Sequence, residues 1–96
     1  MARVEWSEEA VLSLDRLIRT HTLPADTKAR LKRSLRPLAQ FPLMGPSISA
    51  RGHELRFVLG PWRWMIVVYA YFEAEDRVVV VAVEDGRSST AVTAHR

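Results

Sequence analysis

Arginine is the residue type through which this 96-residue chain could act most readily. Arg56 and Arg63 interrupt runs that are otherwise apolar, and Arg51 and Arg87 flank them. A guanidinium group stays charged at any working pH and grips a phosphate or carboxylate through two parallel hydrogen bonds. Four such groups on one sheet face would hold RNA or a carboxylate-rich partner. The competing reading is that each arginine pairs with an acid or extends its head into water. His21, His53 and His95 are scattered, with no pair at ligand spacing, so no metal site is expected. Cysteine is absent, which excludes disulfides and thiolate metal sites. No Gly-rich phosphate loop follows a strand and no Ser-His-Asp set can be read from spacing, so no cofactor is expected. Tyr69 and Tyr71 alternate with apolar residues and read as packing residues.

A second basic set is periodic. Lys28, Lys32 and Arg36 lie four apart, and Arg30 and Arg33 broaden the face they form. Residues 22–63 hold eight Lys/Arg against two Asp/Glu, whereas residues 64–96 hold three against five. A concentrated positive field suits a polyanionic or acidic partner; a solvated helix face is the plainer alternative. Trp62-Arg63-Trp64 is open to two readings, a filled core or a stacking platform for single-stranded nucleic acid.

These side chains must be carried by a small α+β domain. The stretch Glu54–Val83 contains three runs rich in Val, Ile, Phe, Tyr and Trp, which suit a pleated, half-buried surface. Gly60-Pro61 and the acidic cluster Glu73–Arg77 separate the runs. Breaks this short predict an antiparallel meander, because a parallel pair needs a long crossover. Val79, Val81 and Val83 alternate with Val78, Val80 and Ala82, so the last strand is apolar on both sides and belongs inside the sheet or under a partner.

Upstream, Arg3–Trp6 reads as a short strand with Val4 and Trp6 inward. Ser7 is the expected N-cap of a helix to about Thr20, with Glu8 and Glu9 at the positive end of its dipole. Pro24 is placed in the first turn of a second helix, and Leu31, Leu35 and Leu38 form its apolar stripe. Pro37 should kink or shorten that helix. The Pro- and Gly-containing stretch 41–52 reads as a loop. The whole is expected to be one domain, residues 1–96, with a flexible tail over 86–96. The acids in M-A-R-V-E-W-S-E-E do not suit a signal peptide, and the longest apolar run, Trp64–Phe72, is too short to span a bilayer as a helix. A cytoplasmic protein without membrane association is expected.

With these elements in order, W-S-E-E-A at 6–10, A-R-L-K-R-S-L-R-P-L at 29–38, F-P-L-M-G at 41–45, E-L-R at 54–56, I-V-V-Y at 66–69 and V-V-V-V-A-V at 78–83 resemble the RelE/ParE superfamily of toxins from bacterial type II toxin–antitoxin pairs. The likeness covers roughly residues 3–87 and rests on the order and spacing of all six segments. It implies a β-α-α-β-β-β fold, a helical hairpin packed on a small antiparallel sheet. It also implies a growth inhibitor that forms a hetero-oligomer with an acidic antitoxin, seated in an apolar and basic groove between helices and sheet.

The superfamily divides by target. RelE-like members cut mRNA on the ribosome; ParE-like members act on DNA gyrase. The chain departs from the nuclease pattern. Ile66 stands where the resemblance calls for an arginine three residues before the strand tyrosine, and the last strand runs into Glu84-Asp85-Gly86-Arg87 with no tyrosine after it. The expectation is therefore a ParE-like toxin acting by binding, with Lys28, Lys32, Arg36, Arg51, Arg56 and Arg63 contacting target or antitoxin. The alternatives are a ribosome-dependent endoribonuclease, for which His53, Arg56 and Arg87 are the candidate catalytic residues with Arg51 beside them, and a decayed, non-toxic interaction module.

Overall fold

The computed structural model describes residues 1–50 and 53–87. The chain runs β1 (Arg3–Trp6), α1 (Glu8–His21), α2 (Thr27–Ser34), α3 (Pro37–Gln40), β2 (Ser47–Ala50), β3 (His53–Leu59), β4 (Met65–Phe72) and β5 (Arg77–Asp85). The α+β class and the helices-on-sheet arrangement agree with expectation. The sheet is larger than expected, with five strands in the order β1-β5-β4-β3-β2.

Each helix boundary has a local cause. The Ser7 hydroxyl accepts the Ala10 N–H at 3.1 Å, capping α1 as its sequence suggests. Thr22 ends the helix in the left-handed region (φ 50°), and the N–H groups of Thr22 and Leu23 return to the carbonyls of Arg19 and Ile18. Helix α2 begins at Thr27, three residues later than the proline signal implied. Pro24 opens a turn instead: its carbonyl accepts both the Thr27 N–H (3.1 Å) and the Thr27 hydroxyl (2.6 Å), which lets that threonine be fully buried. Pro37 has the foreseen effect. It cannot donate into the ladder, so α2 stops at Ser34 and Pro37 starts the short α3.

The meander β3-β4-β5 is antiparallel throughout. Two corrections concern its edges. Strand β1 is part of the sheet and lies parallel to β5, with Val4 opposite Val78 and Trp6 opposite Val80, so the sheet is mixed. The long helical excursion after β1 permits this parallel pairing. Strand β2 falls inside the stretch expected to be loop, pairing Ile48 with Leu55. Four residues after Pro46, two of them serine, are too few to show an alternating pattern.

Strand β5 lies between β1 and β4, as its two apolar sides suggested. Their physical reason is a bulge. Val68 pairs with Ala82 but Tyr69 pairs with Val80, so Val81 is an extra residue. The inward set of β5 therefore changes parity, from Val78 and Val80 before the bulge to Val83 after it. These three, with Met65, Val67 and Tyr69 of β4, pack under Leu14, Leu31, Leu35 and Leu38 of the helices. Trp62 and Trp64 are not strand residues; they occupy the turn that leads into β4.

Candidate functional site

A concave feature lies along the outer edge of β1, one of the two edge strands of the described sheet. A cavity of about 550 Å³ is lined by Val4 and Trp6 of β1, Leu35 and Ala39 of the helices, and the charged stems of Lys32 and Arg36. A neighbouring cavity of about 210 Å³ shares Trp6 and Lys32 and adds Val11, Leu14 and Lys28. Together they form one groove with an apolar floor and a basic rim. Lys28 and Lys32, four apart, share a face of α2, and Arg36, in the link between α2 and α3, lines the first cavity beside Lys32. Lys28 is bound to Asp15 at 2.8 Å. Among the described residues, Lys32 and Arg36 have no acidic partner, so their charges are available to a ligand. At the far end, the Ala2 N–H is taken by the Ala39 carbonyl at 2.8 Å, which ties α3 to the strand.

Arg56 points elsewhere. Its register opposite Tyr69 puts it on the helix side of the sheet, where it acts as a clip. One terminal nitrogen donates to the carbonyls of Leu43 (3.2 Å) and Gly45 (2.8 Å), and the other pairs with Glu54 at 3.0 Å. Beside it the buried Tyr69 hydroxyl accepts the Gly45 N–H at 3.1 Å. Gly45 must be glycine here, since a Cβ would collide with the Phe57 carbonyl oxygen. Burial pushes the Tyr69 phenol above its ordinary value, against the smaller opposing effects of Gly45 and Arg56. The Tyr71 phenol is also raised, chiefly because it donates to Asp76 at 2.9 Å. Neither tyrosine is poised as a base near neutrality.

Arg87 is likewise engaged. Asp85 accepts its Nε–H (3.1 Å), a terminal N–H (3.2 Å) and its backbone N–H (2.9 Å). The same carboxylate lies 3.1 Å from His21 Nε2, joining the end of α1 to the end of β5. Hydrogen bonding to Arg87 is the main reason that the Asp85 carboxyl sits below the usual carboxylate range. Arg87 also lies over the Trp64 ring at 4.6 Å, Trp64 stacks on Trp62 at 6.2 Å, and Arg30 lies over Trp62 at 5.4 Å. The outward reading of the tryptophans as a base-stacking platform is thus opposed by the geometry, because guanidinium groups already lie over both rings.

The three described arginines of the four do not converge on one face. Arg56 braces a loop, Arg87 closes the sheet end, and Arg63 stands exposed in the turn before β4. Arg51, like residues 88–96 of the tail, lies outside the described residues, and so does the side chain of His53, whose backbone opens β3. Among the described residues no three His, Asp or Glu side chains converge as a cation site. Sequence reasoning missed the contact of His21 with Asp85, which depends on where α1 ends relative to β5; the core-filling reading of Trp62 and Trp64 agrees with their packing against the core. No helix among the described residues is long and apolar enough to cross a membrane.

Comparison with known proteins gives this geometry a context. The family described as "ParE toxin of type II toxin-antitoxin system, parDE" matches residues 4–89. No curated protein sequence matches. Two solved structures share the fold. One is the RelE toxin in the intact Escherichia coli RelBE toxin–antitoxin complex, with TM-score 0.60 and 17% identity over 88% of this chain and 96% of that one. The other is the isolated E. coli RelE toxin, with TM-score 0.61 and 17% identity over 98% of this chain and 94% of that one. A match over nearly all of the described chain decides the assignment: the protein belongs to the ParE toxin family of type II toxin–antitoxin systems, within the RelE/ParE superfamily.

Proposed function

We propose that the chain is a ParE-like toxin that stops growth by binding a target such as DNA gyrase, without cutting RNA. The observation that carries this reading is the commitment of the cations a nuclease would use. Arg56 spends its donors on two loop carbonyls and Glu54, and Arg87 is held by Asp85. An RNA phosphate reaching Arg87 would meet the Asp85 carboxylate first, and like charges repel at such range. Neutralisation falls to an acidic antitoxin segment in the groove beside β1, where Lys32 and Arg36 offer free charge above an apolar floor. The toxin and antitoxin then form a hetero-oligomer in the cytoplasm.

Mapping transcript 5′ ends shortly after induction in a sensitive bacterium tests the proposal. Arrested growth with intact transcripts is the expected result. Codon-phased cuts within translated regions would instead favour the second reading, a ribosome-dependent endonuclease using Arg51, His53, Arg56 and Arg87. The fold shared with E. coli RelE keeps that reading in view. Normal growth would identify a non-toxic interaction module.

A further inference from the structure

The outer edge of β1 carries backbone groups as well as side chains. Successive residues of a strand turn their N–H and C=O groups to opposite edges. The Arg3 N–H goes to the Asp76 carbonyl at 3.1 Å and the Ser7 N–H to the Val80 carbonyl at 3.0 Å, so alternate residues from Arg3 face β5. The N–H and C=O groups of Val4 and Trp6 therefore point away from the sheet. Ala2 shares their parity, and its N–H is taken by the Ala39 carbonyl at 2.8 Å, which closes one end of the edge. Among the described residues nothing takes the N–H groups of Val4 and Trp6. The same two residues line the cavity of about 550 Å³, with Leu35 beside them and Lys32 and Arg36 at its rim.

We infer that an extended segment of the antitoxin pairs with this edge and adds a sixth strand to the sheet, beside β1. The inference deepens the toxin–antitoxin reading above and rests on it. The open backbone groups decide between conformations. An α-helix laid in the groove satisfies its own backbone and would cover the Val4 and Trp6 N–H groups without pairing them, which is costly. An extended chain pairs with both, and its side chains still reach the apolar floor. Charge decides between partners. Two copies of this chain joined β1 to β1 would bring two basic rims together, and like charges at close range repel. A segment that sets carboxylates beside apolar residues neutralises Lys32 and Arg36 instead, which have no acidic partner among the described residues. Nucleic acid would meet those cations but could not continue the ladder. Strand residues alternate between faces, so every second residue of the segment lies on the helix side, and these are the apolar and acidic ones.

The test is amide hydrogen exchange, followed residue by residue by NMR, in the toxin alone and in its complex with co-expressed antitoxin. In the toxin alone the Val4 and Trp6 amides should exchange about tenfold or more faster than those of Glu5 and Ser7, which face β5. In the complex they should slow to the level of those neighbours. Two variants isolate the donor. Val4→Ala and Val4→Pro both lose the valine side chain, but only proline loses the N–H, and an edge strand accepts proline where its N–H faces outward. Val4→Pro should bind antitoxin about three- to tenfold more weakly than Val4→Ala. Thermal melting of both variants shows whether each is folded; should Val4→Pro misfold, exchange in the wild-type complex settles the matter. A complex in which Val4 and Trp6 still exchange fast overturns the sixth strand and leaves the toxin–antitoxin reading standing. Equal binding by folded Val4→Pro and Val4→Ala overturns it too. Protection of both amides in the toxin alone, lost on dilution, gives the edge to a second copy and has the same consequence. If no complex with antitoxin forms, the toxin–antitoxin reading and the sixth strand fall together.

Discussion

At the scale of single residues, the cluster of Tyr69, Gly45 and Arg56 shows how little of a side chain's role lies in its type. Arg56 is legible in the sequence as a functional cation, because it interrupts an apolar strand. What cannot be read is its register opposite Tyr69, which places it under the carbonyls of Leu43 and Gly45. Tyr69 reads correctly as a packing residue, yet its hydroxyl satisfies a buried N–H from 24 residues away. Tyr69→Phe should therefore leave that donor unpaired and cost about 1–3 kcal/mol, seen as a lower urea midpoint at unchanged slope. An unchanged midpoint would mean that water replaces the phenol. Asp85 gives a second prediction. Arg87 lowers its carboxyl pKa in the folded protein, so the associated stability is present above the unfolded value of about 3.9. It is lost as pH falls through the lower folded value. Melting temperature should drop on acidification below about pH 4, and Asp85→Asn should remove part of that drop.

Elements were legible where the pattern was long. Helix α1 combines a serine cap, two acids in its first turn and a periodic apolar face, and each signal survives in the structure. The three runs that form β3, β4 and β5 were equally plain, because branched and aromatic residues dominate them. The edges were not. Strand β2 is too short to show a period, and the parallel union of β1 with β5 joins residues more than 70 positions apart. The valine run of β5 fitted an interior strand, but only the bulge at Val81 explains why both parities are apolar. The cap itself can be tested: Ser7→Ala should cost about 1 kcal/mol, read by thermal melting, since its hydroxyl accepts the Ala10 N–H. No change in melting would show that solvent caps the helix as well.

Taken whole, the molecule gathers basic side chains over apolar surface along the β1 edge. The excess of basic residues between 22 and 63 suggested an acidic partner, and the fold gathers Lys32 and Arg36 of that segment over an apolar groove. Lys32→Glu with Arg36→Glu should weaken antitoxin binding by at least tenfold and flatten its dependence on salt, with most of the loss in association rate if the charges steer the encounter. Growth inhibition should persist in that variant and become harder to neutralise. Loss of toxicity in it would mean that target and antitoxin share the groove.

The proposal is that this toxin acts by binding a target such as DNA gyrase, without cutting RNA. It is met most directly by DNA supercoiling with purified gyrase, titrated with the purified toxin and then with its antitoxin. Inhibition that saturates with toxin and is reversed by antitoxin is the predicted result. Full supercoiling at saturating toxin, together with cleavage of mRNA on translating ribosomes by the same preparation, would contradict it.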